Sequence, residues 1–412
     1  MSAMPIHAGS LPRNGAAASP ALSPVPWARA LWIIWFILLA LGSIGLYMRF
    51  TQGHLPAGYG SYVPWGLWIA IYFHAVGIAG GAFAVGALGY ILNLRGLGTP
   101  SMLRTVIVLA IAAMAPAFMS VWLDLGHLDR AHRIMTSPSF TSMMAFNAWM
   151  YVAFVIVAAA AWVLSFRPGS TWLKPFLCLG IFFAVVIPSQ SGAFFGVVDA
   201  REFWHSALFP VLFLCSAIVS GSAVLLAVRA ALGPDAFAWA TPDPHTEHQM
   251  ALTYLRRVII AGLFVYFILE FAEFSVTLWN PGSHNPAIEL ILTGPYWWVF
   301  WIVHLLLGGV VPLVMLLGCR SPRWWILAAV LVAVTFLATR LNVLVPGQAV
   351  SELKGLQEAF SHPRLSYTYH ATAMEYLVGL FLVALGMASY FVLRRLGAMI
   401  AFRIARQERA SS

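Results

Sequence analysis

The chain has 412 residues, 61% of them hydrophobic and 9% charged, with a formal net charge of +9. A soluble domain carries about 25% charged residues, so this chain cannot cover itself with a polar surface and reads as an all-α integral membrane protein. The basic residues sit in short segments between apolar runs, which excludes a nucleic-acid-binding patch. Three cysteines, Cys178, Cys215 and Cys319, are too few for an iron–sulfur cluster held by this chain alone, which takes about four thiolates; they read as small core residues.

Residues 1–27, rich in Ala, Pro and Ser, are expected to form a disordered tail, and the apolar run after them is too long for a signal-peptide core. A spanning helix takes about 20 apolar residues. That rule predicts ten, at 28–48, 65–93, 103–124, 142–165, 172–188, 206–228, 252–278, 296–318, 323–345 and 372–393, with a basic tail at 394–412. The fifth is short and ends at Pro188. Sixteen of the 23 Lys and Arg fall on the N-terminal side, six on the other, and Arg340 within the ninth helix. The bias places both termini in the cytoplasm.

Nine of the twelve histidines and most acids lie at the opposite, outer face, and titratable groups gathered at one face point to proton chemistry there. The longer loops 49–64, 125–141, 188–205, 279–295 and 346–371 also lie outside, as segments that carry function or a partner do. The inner 229–251 loop, with turn signals at Gly233-Pro-Asp235 and Thr241-Pro-Asp-Pro244, reads as a linker. A shift of about 150 residues lays Leu103-Arg-Thr-Val-Ile107 on Leu255-Arg-Arg-Val-Ile259 and helices 2–5 on helices 6–9, the signature of a parallel repeat. The expected architecture is two four-helix units, 65–228 and 206–345, joined at the sixth helix and flanked by helices 1 and 10.

Charge is densest in Trp122-Leu-Asp-Leu-Gly-His-Leu-Asp-Arg-Ala-His-Arg133. Asp124 ends the third helix, and His74 lies about 15 Å into the second. A histidine in hydrocarbon is expensive, so it is either hydrogen-bonded for packing or functional. A His and a carboxylate at a bundle mouth can bind the two oxygens of a quinone and exchange its protons. Asp129 and Arg130 read as a solvated pair. Deeper, Glu270 and Glu273 share one face of the seventh helix, with Tyr266 a turn below. A lone Arg340 would be unfavourable by at least ~2.5 kcal/mol, so it is expected to pair with Glu270, Glu273 or Glu375. Such a group is either a static ion pair or a proton relay with one acid free to titrate. His304 sits near the depth of Glu270; with His74 it makes one candidate pair for a b-type haem, which takes two facing histidines at one depth.

The Pro64-Trp65-Gly66 opening of helix 2, the Leu123-Asp-Leu-Gly-His127 end of helix 3 and Arg340-Leu-Asn-Val-Leu-Val-Pro-Gly347 resemble membrane subunits of the NrfD/PsrC polysulfide reductase type. The ten-helix hydrogenase (HybB-like) and sulfur-metabolism (DsrP-like) members are the most similar; Val350-Ser-Glu-Leu-Lys-Gly-Leu356, Leu365-Ser-Tyr367 and Glu375-Tyr376 look especially like the latter. The resemblance covers residues 30–395. It implies a subunit of the bacterial inner membrane that binds exchangeable menaquinone or ubiquinone, without intrinsic haem or iron–sulfur cluster. It also implies a periplasmic ferredoxin-like iron–sulfur partner and a molybdopterin, hydrogenase or multihaem cytochrome catalytic subunit. The residues matched to the quinone site are His74 and Asp124, with His127, Tyr72 and Trp65 near them. Some members are thought to move protons, for which Glu270, Glu273, Arg340, Glu375 and His304 are the candidates here. His127 stands where many members have Arg. Rival readings are a secondary transporter or proton channel, and a b-haem cytochrome subunit.

Overall fold

A computed structural model describes residues 28–167, 169–233, 243–279, 286–353, 355–362 and 365–411. Ten helices in it are long and apolar enough to cross a membrane, and the chain is a multi-pass membrane protein. We label them α1 (Ala28–Gln52), α2 (Leu67–Ile91), α3 (Pro100–Asp124), α4 (Met143–Leu164), α5 (Leu173–Gly196), α6 (Phe209–Leu232), α7 (Pro244–Trp279), α8 (Val299–Gly318), α9 (Pro322–Ala349) and α10 (Ala373–Ser411). The expected tail 1–27, most of the turn signals in the expected linker, and His284 lie outside the described residues.

Helix α2 is the centre. It packs on α3, α5 and α6 and on the second half of α9, whereas α6 packs on α2, α5, α7 and the first half of α9. The α2–α6 approach is made by missing side chains: a Cβ on Gly81 would run into the Ala217 carbonyl, and one on Gly221 into the backbone of Gly81 and Ala82. Small residues are how apolar helices approach closely in lipid. Helix α1 lies outside the bundle against α10, with Gly42 and Gly45 seated on Phe381 and Leu377.

Several boundaries depart from the apolar windows. Helix α5 does not stop at Pro188 but continues to Gly196, which shortens the expected 188–205 loop. Proline removes the N–H that the Ala184 carbonyl would accept, and Gly80 of α2 packs directly over that carbonyl. Helix α7 starts at Pro244, two turns before the apolar run, where the Glu247 side chain accepts the Gly96 N–H at 2.6 Å. Helix α10 absorbs the expected basic tail, because Leu, Ala and Arg are good helix formers whatever their hydropathy. Gly397 packs there against Trp162 and Phe166.

Two helices are irregular. The first part of α8, Val299–Val310, is π-helical. Helix α9 is interrupted at Phe336, between its Pro322–Thr335 and Leu337–Ala349 segments. Both irregularities border His304, whose ring lies 5.7 Å from that of Phe336.

Candidate functional site

Asp124 is the last residue of α3. The carbonyls on either side of it belong to a helix end without intrahelical donors, and Arg49 of α1 supplies them. Its Nε donates to Leu123 O at 2.8 Å and its Nη2 to Leu125 O at 2.9 Å. The same Nη2 meets His54 Nε2 at 2.8 Å, and His54 Nδ1 meets the Tyr59 hydroxyl at 2.5 Å. Asp124 Oδ1 is buried and has no hydrogen-bond partner among the described residues. The carboxyl lies in the electrostatic reach of Glu375 and Arg49. Burial, reinforced by Arg49, holds the His54 imidazole below its ordinary pKa, and burial with the nearby Asp124 raises that of Tyr59.

Glu375 sits in this cluster. Its side chain is fully buried and accepts from the Tyr369 hydroxyl, Gly58 N–H (2.9 Å), Thr372 N–H (3.0 Å) and Thr372 Oγ1 (3.2 Å). Thr372-Ala-Met-Glu375 thus has the spacing of a capping box and makes one half of it, the Glu375 carboxylate holding the Thr372 N–H ahead of α10. The Tyr369 hydroxyl also accepts the Leu67 N–H at 2.7 Å. The first turn of α2 is pinned further by Gln348, bonded to both N and O of Trp65, and by Ser120, bonded to Trp68 O.

A second polar group lies across α2, between α6, α7, α8 and α9. Glu270 accepts from His304 Nε2 at 2.9 Å and from the Tyr266 hydroxyl at 3.0 Å. His304 is fully buried. Arg340 is buried too, yet the expected ion pair does not form: no acid among the described residues lies within salt-bridge distance. Its Nη2 donates instead to Phe213 O at 3.2 Å, and its guanidinium lies 3.8 Å over the Phe213 ring, a cation–π contact that offsets some of the lost hydration. Glu273 accepts from Ser206 at 2.8 Å nearer the loops. Tyr266, Glu270, Glu273, Arg340 and Asn342 line a narrow cleft of about 20 Å³ together with Phe203, Phe209 and Phe274. Arg340 Nε and Asn342 Nδ2 have no partner among the described residues.

The two expected groups thus exchange a member. His74 donates Nε2–H to Ala333 O at 2.8 Å, just before the α9 break, and lies in the field of Arg340; it belongs with the Glu270 group and is not brought to Asp124. Glu375 belongs with Asp124 and not with Arg340. His127 is exposed, 4.0 Å from Asp129. Trp65 stacks on Trp204 with ring centroids 6.4 Å apart. Tyr72 packs edge-on to Tyr151, which bonds Ser191 at 3.0 Å. His74 and His304, the candidate pair for a haem, hold their Nε2 atoms on different partners, a carbonyl of α9 and a carboxyl of α7, while His304 Nδ1 has no partner among the described residues.

Arg49, His54, Tyr59 and Tyr369 were not singled out in the sequence. The Thr-x-x-Glu spacing was there to be seen, and so was an arginine on the side poor in them.

The polysulphide reductase NrfD family matches over residues 57–352. The chain belongs to that family. It is 25% identical over 377 residues to a selenate reductase subunit of Mesobacillus selenatarsenatis, covering 82% of this chain and 86% of that one. It is 27% identical over 374 residues to the Hdr-like menaquinol oxidoreductase integral membrane subunit of Archaeoglobus fulgidus, covering 88% and 92%. Protein NrfD of Escherichia coli is 22% identical over 275 residues, 61% of this chain and 83% of that one.

Proposed function

We propose that the chain is the quinone-exchanging membrane subunit of a respiratory oxidoreductase, passing electrons between the quinone pool and a periplasmic iron–sulfur partner. The observation that carries this reading is Asp124. A buried carboxyl oxygen without a partner is costly, and here it stands at the end of a helix beside an apolar, partly exposed rim of Phe50, Trp122 and Leu125. A quinol arriving laterally from lipid would meet apolar surface first and the carboxyl next. The name of the A. fulgidus relative, a menaquinol oxidoreductase subunit, favours menaquinone over ubiquinone.

Oxidising a quinol releases two protons and two electrons: Asp124 takes one proton as general base, the other passes to water at the outer face, and the electrons leave one at a time to the partner's iron–sulfur carrier. Run in reverse, the site reduces quinone. Both termini are cytoplasmic in this reading, which puts Asp124 at the periplasmic face. The parallel repeat is supported by matched packing, α2 on α3 and α5, and α6 on α7 and α9.

A proton-conducting role for the second unit is favoured by Glu270 and Tyr266, which line a cleft with Glu273, and by the buried His304 bonded to Glu270 behind them. His304 there rides on a π-helical segment, a feature enriched at functional sites.

The test is Asp124→Asn in the intact complex. Quinol-linked turnover should fall about 100-fold or more, with the catalytic partner's activity toward artificial dyes unchanged. Turnover at the native rate would sink the assignment. Transport by the purified chain in liposomes, with no redox partner, would favour a secondary transporter instead.

A further inference from the structure

Arg49, His54 and Tyr59 form a chain of hydrogen bonds whose direction can be worked out. An arginine has only donors, so the 2.8 Å contact from Arg49 Nη2 makes His54 Nε2 the acceptor. A neutral imidazole then carries its proton on Nδ1, and Nδ1–H donates to the Tyr59 oxygen at 2.5 Å. The Tyr59 hydroxyl proton is left free. The groups in its electrostatic reach are Asp124 and Glu375. The Glu375 side chain already accepts from Tyr369, Gly58 and Thr372, whereas Asp124 Oδ1 has no partner among the described residues.

We infer that Arg49 and His54 are positioning residues that aim the Tyr59 hydroxyl at the Asp124 site, so that Tyr59 donates to Asp124 or to a quinone oxygen bound there. The inference rests on the quinone reading of that site. The chain works only with His54 neutral. A second proton would place Nε2–H against the Arg49 N–H, break that contact and turn the ring toward the Leu125 carbonyl, 3.4 Å away. The groups facing His54 are Arg49 from α1, Tyr59 from its own loop and the Leu125 carbonyl just past α3, a longer 3.4 Å from Nε2; Asp124 and Glu375 act through Tyr59, and Trp68 of α2 adds an uncharged ring 6.5 Å away. Burial and Arg49 favour the neutral form and outweigh the Leu125 carbonyl, which favours the charged one. Acidification of the outer side therefore disarms the donor.

Glutamine offers the same pattern as the neutral ring, one oxygen to accept from Arg49 and one N–H to donate to Tyr59, but does not titrate. In the intact complex in native membranes, Tyr59→Phe and His54→Leu should each lower quinol kcat about tenfold, with KM shifted less than about twofold. His54→Gln should restore kcat to within about twofold of native and flatten the acid limb of the pH profile. The inference is overturned if His54→Gln is as impaired as His54→Leu, if it keeps the native acid limb, or if Tyr59→Phe turns over normally while Asp124→Asn does not. Native turnover in Asp124→Asn would instead remove the quinone reading beneath it.

Discussion

Replacing Glu375 with alanine separates two roles for a carboxyl that the sequence places among proton-relay candidates. In the structure it is an anchor. Its removal strands the Tyr369 hydroxyl, the Gly58 N–H and the Thr372 N–H, while the Thr372 hydroxyl can turn elsewhere. A buried donor left without a partner costs about 1–3 kcal/mol. Gly58 and Thr372 are only partly buried and water can reach them, so the low end applies there; Tyr369 is buried and carries more. The expected loss is about 4 kcal/mol in total. For a chain of this length that corresponds to a fall of about 5 °C in the midpoint of thermal unfolding in detergent, read by tryptophan fluorescence and by the monodisperse fraction on size exclusion. Glu375→Gln should lie between, because one amide oxygen still accepts and the NH2 opposes another donor. An alanine variant that unfolds within about 2 °C of native while quinol turnover collapses would refute the anchor and restore the relay.

In liposomes carrying the intact complex, Glu270→Gln should leave quinol turnover within about threefold of native and reduce the protons displaced per electron, if His304 and Glu270 act as a conducting pair. An unchanged proton yield would assign them to packing. Gly81→Leu should abolish accumulation of folded chain, because even a Cβ meets the Ala217 carbonyl; normal expression of a stable variant would contradict the α2–α6 approach. An absorption spectrum of the purified chain tests the haem rival: no Soret band is expected if the Nε2 bonds of His74 to Ala333 O and of His304 to Glu270 are the resting arrangement. A b-haem spectrum would overturn that placement.

The ten helices were legible because hydrocarbon demands a long apolar run and little else does. Their ends were not, where charge and helix propensity disagree. Arg394, Arg395 and Arg403 end the apolar window of α10 without ending its helix. Pro188 looked like a terminus, but a neighbouring glycine surface absorbs its effect. The π segment of α8 carries no hydropathy signal, since changing the hydrogen-bond register leaves composition untouched. The polar groups were legible one residue at a time and wrong in their grouping: depth along a helix can be counted at 1.5 Å per residue, but azimuth depends on which neighbour each face meets. His74 and Trp68 are both on α2, yet one bonds α9 through Ala333 and the other α3 and α10 through Ser120 and Glu375.

That division of α2 makes a statement about coupling. Asp124 and Glu270 share no hydrogen-bond partner, and the hydrophobic core residues Ile69, Ala70 and Phe73 of α2 stand between Trp68 and His74. Sites that share no partner combine independently within about 0.5 kcal/mol. In detergent, where no proton gradient opposes turnover, the double variant Asp124→Asn with Glu270→Gln should therefore lower quinol kcat by the product of the two single effects, to within about threefold. In sealed liposomes the same pair should depart from that product if protons released at Asp124 and moved at Glu270 draw on one gradient. A product rule that already fails in detergent would require a path through α2, and the candidates are then the links that tie it and its lead-in to α9: His74 to Ala333, and the paired bonds of Gln348 with Trp65.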